Sequence, residues 1–285
     1  MGKILISIIL LCCFLPINKD QVIAKPVSQI GKATYVAHAM GRIDGHDYTN
    51  SLEAFLHNYE IGFRVFEVDM VLSADSVPIA RHSGSHMFEI LGQNPPQRIL
   101  EQQTEPFTST VQGVPLTLGE FKNLRINKKY TPMDIYDLIA LLQKYPDISF
   151  LIDHGYNFFT LDARTAFYKN LIDIVCKTDP TLMDRIIPNT ADGEFLEVLT
   201  SLYPFKNIIY VLFKENDEAA FELIKKTNAI STVFMSPSLA LNTDYVKRAK
   251  ELGKWVYVVM GTSNQQVENL MSHGVDGVYA DILFN

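Results

Sequence analysis

From Ala33 onward, short apolar runs alternate with longer stretches in which apolar residues recur every three or four positions. The first pattern suits strands and the second amphipathic helices. Strands are predicted to start near Ala33, Val65, Ile148, Arg185, Asn207, Ser231, Trp255 and Gly277. Between them the pattern predicts helices from Leu52 to about Ile61, Thr131 to Lys144, about Leu161 to Lys177, around Gly193 to Leu202, Asp217 to Lys226, Thr243 to Leu252 and Asn264 to His273. Asn50-Ser51 can cap the first helix, with Glu53 in its first turn and Gly62 at its end. Eight strands of one sense with intervening helices, over roughly 250 residues, describe an α/β fold, a (β/α)8 TIM barrel. An open doubly wound sheet is the alternative, but no Gly-rich phosphate loop follows the first strand.

Two segments depart from the alternation. Val77 to Arg81 reads as the returning arm of a hairpin from Val65–Val71, an extra antiparallel strand outside the eight. Residues 83–130 are polar and weakly periodic, an insertion expected to cover the active-site mouth. Its apolar members Met87, Phe88, Phe107 and Leu116 either pack the insertion or shape a place for lipid-derived groups.

Hydrophobic residues make up 47% of the 285 positions and charged ones 20%, ordinary for one large globular domain, taken as residues 25–285. The net charge of −7, without any Lys/Arg run, argues against nucleic-acid binding. The N-terminus differs: Lys3 precedes the apolar run Ile4–Ile17, and Val22-Ile23-Ala24 forms a cleavage site. The run is short for a bilayer span, so residues 1–24 read as a signal peptide and the mature chain as secreted or extracytoplasmic. Lipid anchoring through Cys12 or Cys13 is the lesser alternative, because Leu11 is bulky where a small residue is expected. The mature chain would keep only Cys176, in a helical run, which reads as a core residue and cannot form an intrachain disulfide.

The chemistry concentrates in Val65–His82. Alternation puts Glu67 and Asp69 on the same face of an otherwise apolar strand. Two buried anions are costly unless paired, and a hard divalent cation, Mg²⁺ or Ca²⁺, is the usual remedy. His38 ends the first strand and Asp153 the third, where a barrel gathers its reactive groups. A hairpin turning about Ala74 and Asp75 would return His82 opposite Glu67. His154 follows Asp153 directly, so alternation turns it away from that acid's face. His46 reads as a solvated loop residue, His57 and His273 as surface residues on helices. Trp255, an aromatic at a strand start, is a candidate for lining the mouth.

The run Ala37-His38…Thr49-Asn50-Ser51-Leu52-Glu53-Ala54-Phe55…Gly62…Phe66-Glu67-Val68-Asp69…Ala80-Arg81-His82 resembles the glycerophosphodiester phosphodiesterase family, within the phosphatidylinositol-specific phospholipase C-like superfamily. Trp255–Val258 and Gly274–Asp281 are similar to the family's last two units, so the resemblance spans roughly Thr34 to Ile282. It implies a metal-dependent phosphodiesterase barrel in which His38 and His82 are general acid and base. Glu67, Asp69 and Asp153 would hold the metal, with Asp153 standing where the family usually has Glu. Asn50 matches the Asn of the family's Glu-Asn-Thr triplet. With Arg42 and Trp255 it is expected to contact substrate. The implied reaction starts with attack by a neighbouring glycerol hydroxyl, giving a cyclic phosphate that water opens. The implied substrate is a small phosphodiester or a phospholipid-derived molecule, with no protein partner.

Four departures stand out. The family's His-Arg-Gly is His38-Ala39-Met40-Gly41, the Glu of its triplet is Thr49, its His-Asp is His82-Ser83, and the lysine after the third acid is Gly155. Arg42, Arg81 or a residue of the insertion is the candidate replacement for the missing cations. These losses keep two other readings open: phospholipase C- or D-like action on intact or lyso-phospholipids, and a catalytically weak barrel that binds a phosphate-bearing ligand.

Overall fold

The β-branched and aromatic runs pair side by side and close into a barrel, with amphipathic helices covering its outside. The computed structural model describes residues 30–102, 115–155, 159–214, 217–259 and 263–283. Residues 1–24 of the expected signal peptide and Phe107 lie outside them. In chain order, the first half contains β1 (Tyr35–Ala37), α1 (Leu52–Ile61), β2 (Val65–Leu72), β3 (Pro78–Ala80), α2 (Met87–Ile90), α3 (Gln97–Gln102), α4 (Leu118–Asn123), α5 (Ile135–Lys144) and β4 (Ser149–Asp153). Next come α6 (Leu161–Thr178), β5 (Ile186–Thr190), α7 (Gly193–Leu202), β6 (Ile208–Leu212), α8 (Glu218–Lys226) and β7 (Ile230–Met235). The chain continues through α9 (Pro237–Asn242), α10 (Tyr245–Glu251), β8 (Trp255–Val258), α11 (Asn264–Ser272) and β9 (Gly277–Ala280). No helix among the described residues is long and apolar enough to cross a membrane.

The strand order is β1-β9-β8-β7-β6-β5-β4-β2-β3, and an additional β1–β2 pairing closes the circle. All barrel pairs are parallel, and β3 alone pairs antiparallel, on β2. This is the predicted eight-stranded barrel with its hairpin arm.

Alternation sorts each strand into two faces. Val36, Val65, Leu151, Ile187, Ile209, Tyr257 and Tyr279 pack together inside the barrel. Their alternate neighbours, such as Phe66, Val68, Phe150 and Ile152, face the helices and form the larger outer core. Two residues further along the inward face come His38, Glu67, Asp153, Asn189 and Asp281. The apolar lower layer thus aims the polar upper layer at the mouth formed by the strands' carboxyl ends.

The opposite end is plugged. The Tyr257 hydroxyl donates to the Ala33 carbonyl at 2.6 Å and accepts from Gly31 N–H at 3.1 Å. Gly277 makes room for this plug, because a β-carbon there would lie 2.3 Å from the Tyr257 ring.

Two local expectations change. The helix predicted from Thr131 begins at Ile135, because the Asp134 carboxylate caps it by accepting from the Tyr136 and Asp137 N–H groups. The segment before it instead follows β3, with the Ala80 N–H donating to the Met133 carbonyl at 2.9 Å. The hairpin register is also one residue off the prediction. Ser73 N–H donates to the Val77 carbonyl, Ser76 N–H to the Ser73 carbonyl, and Ser76 has φ 64°. That is a three-residue loop closed by a left-handed residue, rather than a two-residue turn. Arg81, not Ala80, therefore stands against Asp69, with its N–H donating to the Asp69 carbonyl at 2.9 Å. His82 comes level with Val68 instead of Glu67.

The insertion builds its own small core from Phe88, Ile99, Leu116 and Phe121 against Ile79, while Met87 joins the main core.

Candidate active site

At the mouth, β2 and β4 present three carboxylates. Single oxygens of Glu67, Asp69 and Asp153 lie within 4.8 Å of one another. Glu67 and Asp69 are 3% and 6% exposed, so these charges share a space that water hardly reaches. Burial pushes the Glu67 carboxyl well above its ordinary range, and the Asp69 and Asp153 charges add to that. Asp153 is raised as well, first by burial and then by Asp69.

The chain compensates only in part. Ala39 N–H donates to Glu67 Oε2 at 2.6 Å, Asn50 Nδ2 to Asp69 Oδ2 at 2.9 Å, and Gly155 N–H to Asp153 Oδ1 at 2.9 Å. Asn189 bonds Asp153 from the next strand. Three hard oxygen donors, close together and mutually repelling, suit a divalent cation better than they suit each other. The donor set therefore fits Mg²⁺ or Ca²⁺.

His38 sits beside this cluster at the end of β1. Its Nδ1 is 2.9 Å from Asp281 Oδ1, just after β9. Burial opposes a charged imidazole here, but the Asp281 hydrogen bond and the Glu67 and Asp69 charges outweigh it and raise the pKa to about 9. A cation among the carboxylates would cancel part of that field.

His82 approaches from the hairpin. Its Nδ1 lies 2.6 Å from the Ser83 carbonyl, which can only accept, so Nδ1 carries the proton. The two histidines meet on Tyr48, whose ring edge-packs against both, with centroids 5.0 Å from His38 and 5.9 Å from His82.

The loop between His38 and α1 is unusual. Ala39, Met40, Asp44, Tyr48 and Asn50 all have positive φ without being glycine. Such residues cost energy and persist only where the surroundings fix them. Two of them do visible work here: Ala39 turns its N–H onto Glu67, and Asn50 turns its amide onto Asp69.

The structure brings His38, His82, Glu67, Asp69 and Asp153 together, and it gives the three predicted substrate contacts, Asn50, Arg42 and Trp255, the following places. Asn50 is fully buried and spends its amide on Asp69, giving Nδ2–H to Oδ2 and taking the Asp69 N–H at 3.1 Å. It is a support for that carboxylate. The Arg42 guanidinium pairs with Asp47 through Nε at 2.7 Å and Nη2 at 3.0 Å, so its charge is committed within its own loop. Trp255 opens β8 and therefore sits at the plugged end, over Gly31, where a β-carbon would lie 2.3 Å from its ring. Strand polarity puts it away from the mouth.

His154 turns away from the cluster, as alternation predicted. Its Nδ1 bonds the Met70 carbonyl at 2.7 Å and its ring is stacked between Phe159 and Phe167.

Sequence reasoning missed Tyr48, Asn189 and a role for Asp281. The last two lie on the inward face at strand ends, where the alternation that found Glu67 and Asp69 would also have found them. Nothing in the local pattern marks Tyr48, whose place depends on the left-handed loop.

Beside the cluster is a cavity of about 140 Å³ lined by His38, Glu67, Asp153, Asn189, Phe234 and Tyr279 among others. A second, of about 90 Å³, lies on the His82 side between the hairpin and the insertion.

Comparison with known proteins gives a consistent result. The sequence pattern of the glycerophosphoryl diester phosphodiesterase family matches residues 42–283. No curated protein matches the chain. Among solved structures, a glycerophosphodiester phosphodiesterase from Parabacteroides distasonis is 18% identical, covering 87% of this chain and 92% of its own, with a TM-score of 0.65. One from Thermotoga maritima is 17% identical, with coverage of 87% and 94% and a TM-score of 0.62. A phosphodiesterase from Oleispira antarctica, solved with the product sn-glycerol-3-phosphate, is 15% identical, with coverage of 87% and 93% and a TM-score of 0.63. At these identities the structural likeness speaks to the fold.

Proposed function

This chain belongs to the glycerophosphoryl diester phosphodiesterase family, and on that premise we propose that it is an exported hydrolase releasing glycerol phosphate and an alcohol from glycerophosphodiesters. The observation that carries the reading is the meeting of three close-set carboxylates with two histidines on either side of Tyr48.

Glu67, Asp69 and Asp153 would hold the divalent ion. When bound, it supplies positive charge against the phosphoryl oxygens. The rest is work for this chain's own groups. One imidazole takes the proton from the attacking hydroxyl and the other gives one to the leaving oxygen. Asp281 orients His38 through Nδ1, and the Ser83 carbonyl orients His82 in the same way. Asn50, Asn189 and the Ala39 and Gly155 N–H groups fix the carboxylates in place.

The test is glycerol phosphate release by the purified chain from several glycerophosphodiesters and a lysophospholipid, with chelator and with Mg²⁺ or Ca²⁺ restored. Activity should vanish with chelator, return with metal, and be lost in His38→Ala and His82→Ala. Turnover of the lysophospholipid alone would move the substrate assignment to lipids. Turnover that survives exhaustive chelation would overturn the metal role. Export predicts a mature protein beginning at Lys25, read by N-terminal sequencing. A protein that keeps residues 1–24 and stays inside the cell would refute it.

A further inference from the structure

The cavity on the His82 side has an uncommon wall. Val71, Ile79, Phe88, Leu116 and Phe159 make most of it apolar, and Arg81 is set among them. Arg81 is 6% exposed, and among the described residues its one side-chain hydrogen bond goes from Nη1 to the neutral Gln93 Oε1 at 2.6 Å. Among the described residues its Nη2 has no partner. Its guanidinium carbon lies 4.5 Å from the centre of the Phe88 ring, which blankets that π face. Among the described residues no carboxylate pairs with it, in contrast to Arg42, Arg64, Arg98, Arg164 and Arg248. A buried cation without an anion is among the costlier arrangements a fold can keep.

His82 and Arg81 line this cavity, while His38, Glu67 and Asp153 line the other one, beside the carboxylate cluster. We propose that this cavity is the subsite for the alcohol half of the diester, and that Arg81 makes it select alcohols bearing a carboxylate. The inference rests on the hydrolase reading above. A volume of about 90 Å³ has room for a carboxylate on a short stem. An anion placed there would neutralise Arg81. A quaternary ammonium head would meet a like charge, and it would find the Phe88 face already covered.

The experiment uses three glycerophosphodiesters that differ only in the alcohol: 3-hydroxypropanoate, its neutral amide 3-hydroxypropanamide, and choline. For the unmodified chain, kcat/KM should favour the carboxylate over the amide by roughly ten- to hundred-fold, the size of a charge-assisted hydrogen bond in a dry site, and choline should be poorest. In Arg81→Met the carboxylate-to-amide ratio should fall toward one, while Arg81→Lys should keep most of it. Equal kcat/KM for carboxylate and amide in the unmodified chain would overturn the subsite, and so would an undiminished ratio in Arg81→Met. Should Arg81→Met fail to fold, inhibition of the unmodified chain by free 3-hydroxypropanoate against its amide decides the same point. No turnover of any of the three diesters would instead sink the hydrolase reading. Calorimetric binding of the carboxylate and amide diesters would then still decide the subsite.

Discussion

Replacing Asn50 separates a supporting role from a substrate contact. Its amide makes two buried bonds to one residue, from Nδ2 to Asp69 Oδ2 at 2.9 Å and from Asp69 N–H to Oδ1 at 3.1 Å. A bond to a charged acceptor contributes about 1.5–3 kcal/mol and a neutral one about 1 kcal/mol. Asn50 also has φ 45°, a region that asparagine tolerates better than alanine does. Asn50→Gly therefore removes the bonds without adding strain, and should cost about 2.5–4 kcal/mol in a urea titration with chelator present. Asn50→Ala should cost about 1 kcal/mol more, from the left-handed backbone. Loosening a ligand's support typically weakens metal binding by about 10–100-fold. Calorimetric titration of both variants with Mg²⁺, Ca²⁺ and Mn²⁺ should show that loss, with KM for substrate at saturating metal little changed. The reasoning fails if metal affinity is untouched and KM alone rises, because Asn50 would then be gripping substrate.

Four further outcomes follow from the geometry. Asp281→Asn should lower kcat roughly ten-fold or more with little change in KM, since it loosens the orientation of a proton-transfer group, and the His38 pKa followed by NMR should drop from about 9; an unchanged kcat would refute the pairing. Trp255→Ala should leave KM within about two-fold and cost only stability, because the residue sits at the plugged end. Burial holds His154 down to about 4 from an ordinary 6.5, so it stabilises the fold fully above pH 6.5 and loses that contribution as pH falls toward 4, about 3 kcal/mol in all and about 2 kcal/mol by pH 5; denaturant midpoints of His154→Phe should show a flatter acid limb, and parallel limbs would refute this. Gly277→Ala should destabilise by about 1–3 kcal/mol through overpacking against Tyr257 while leaving metal affinity intact.

Much of this site was legible because a strand period is simple. Once eight runs are read as strands, alternation alone puts Glu67, Asp69 and Asp153 inside and Phe66, Val68 and Ile152 outside. The same period extends to Asn189 and Asp281, which failed to attract notice only because single polar residues at strand ends are common. Loops obey no such period. The one-residue slip at the hairpin came from Ser76 taking a left-handed turn that favours glycine or asparagine. Tyr48 and Asn50 took their places through a run of positive φ angles that no local propensity announces. Arg42 illustrates a different limit: its type suits a phosphate contact, but Asp47 five residues on claims its charge, a competition visible only in three dimensions.

The bond between His38 and Asp281 joins positions 243 residues apart, across the seam where β1 meets β9 and β2. The seam is also the last part of the barrel to be synthesised. A nascent chain can pair β2 with β4 and build outward, but β1 has only one neighbour until residues 277–281 arrive. Such distant contacts pay their loop-closure entropy late and fold slowly. On the proposed acid–base reading, the setting of His38 and the closure of the ring are a single event. A chain cut short before the final strand holds the carboxylates of β2 and β4 but lacks the aspartate bonded to His38, so on that reading partial products of translation or proteolysis would be inactive.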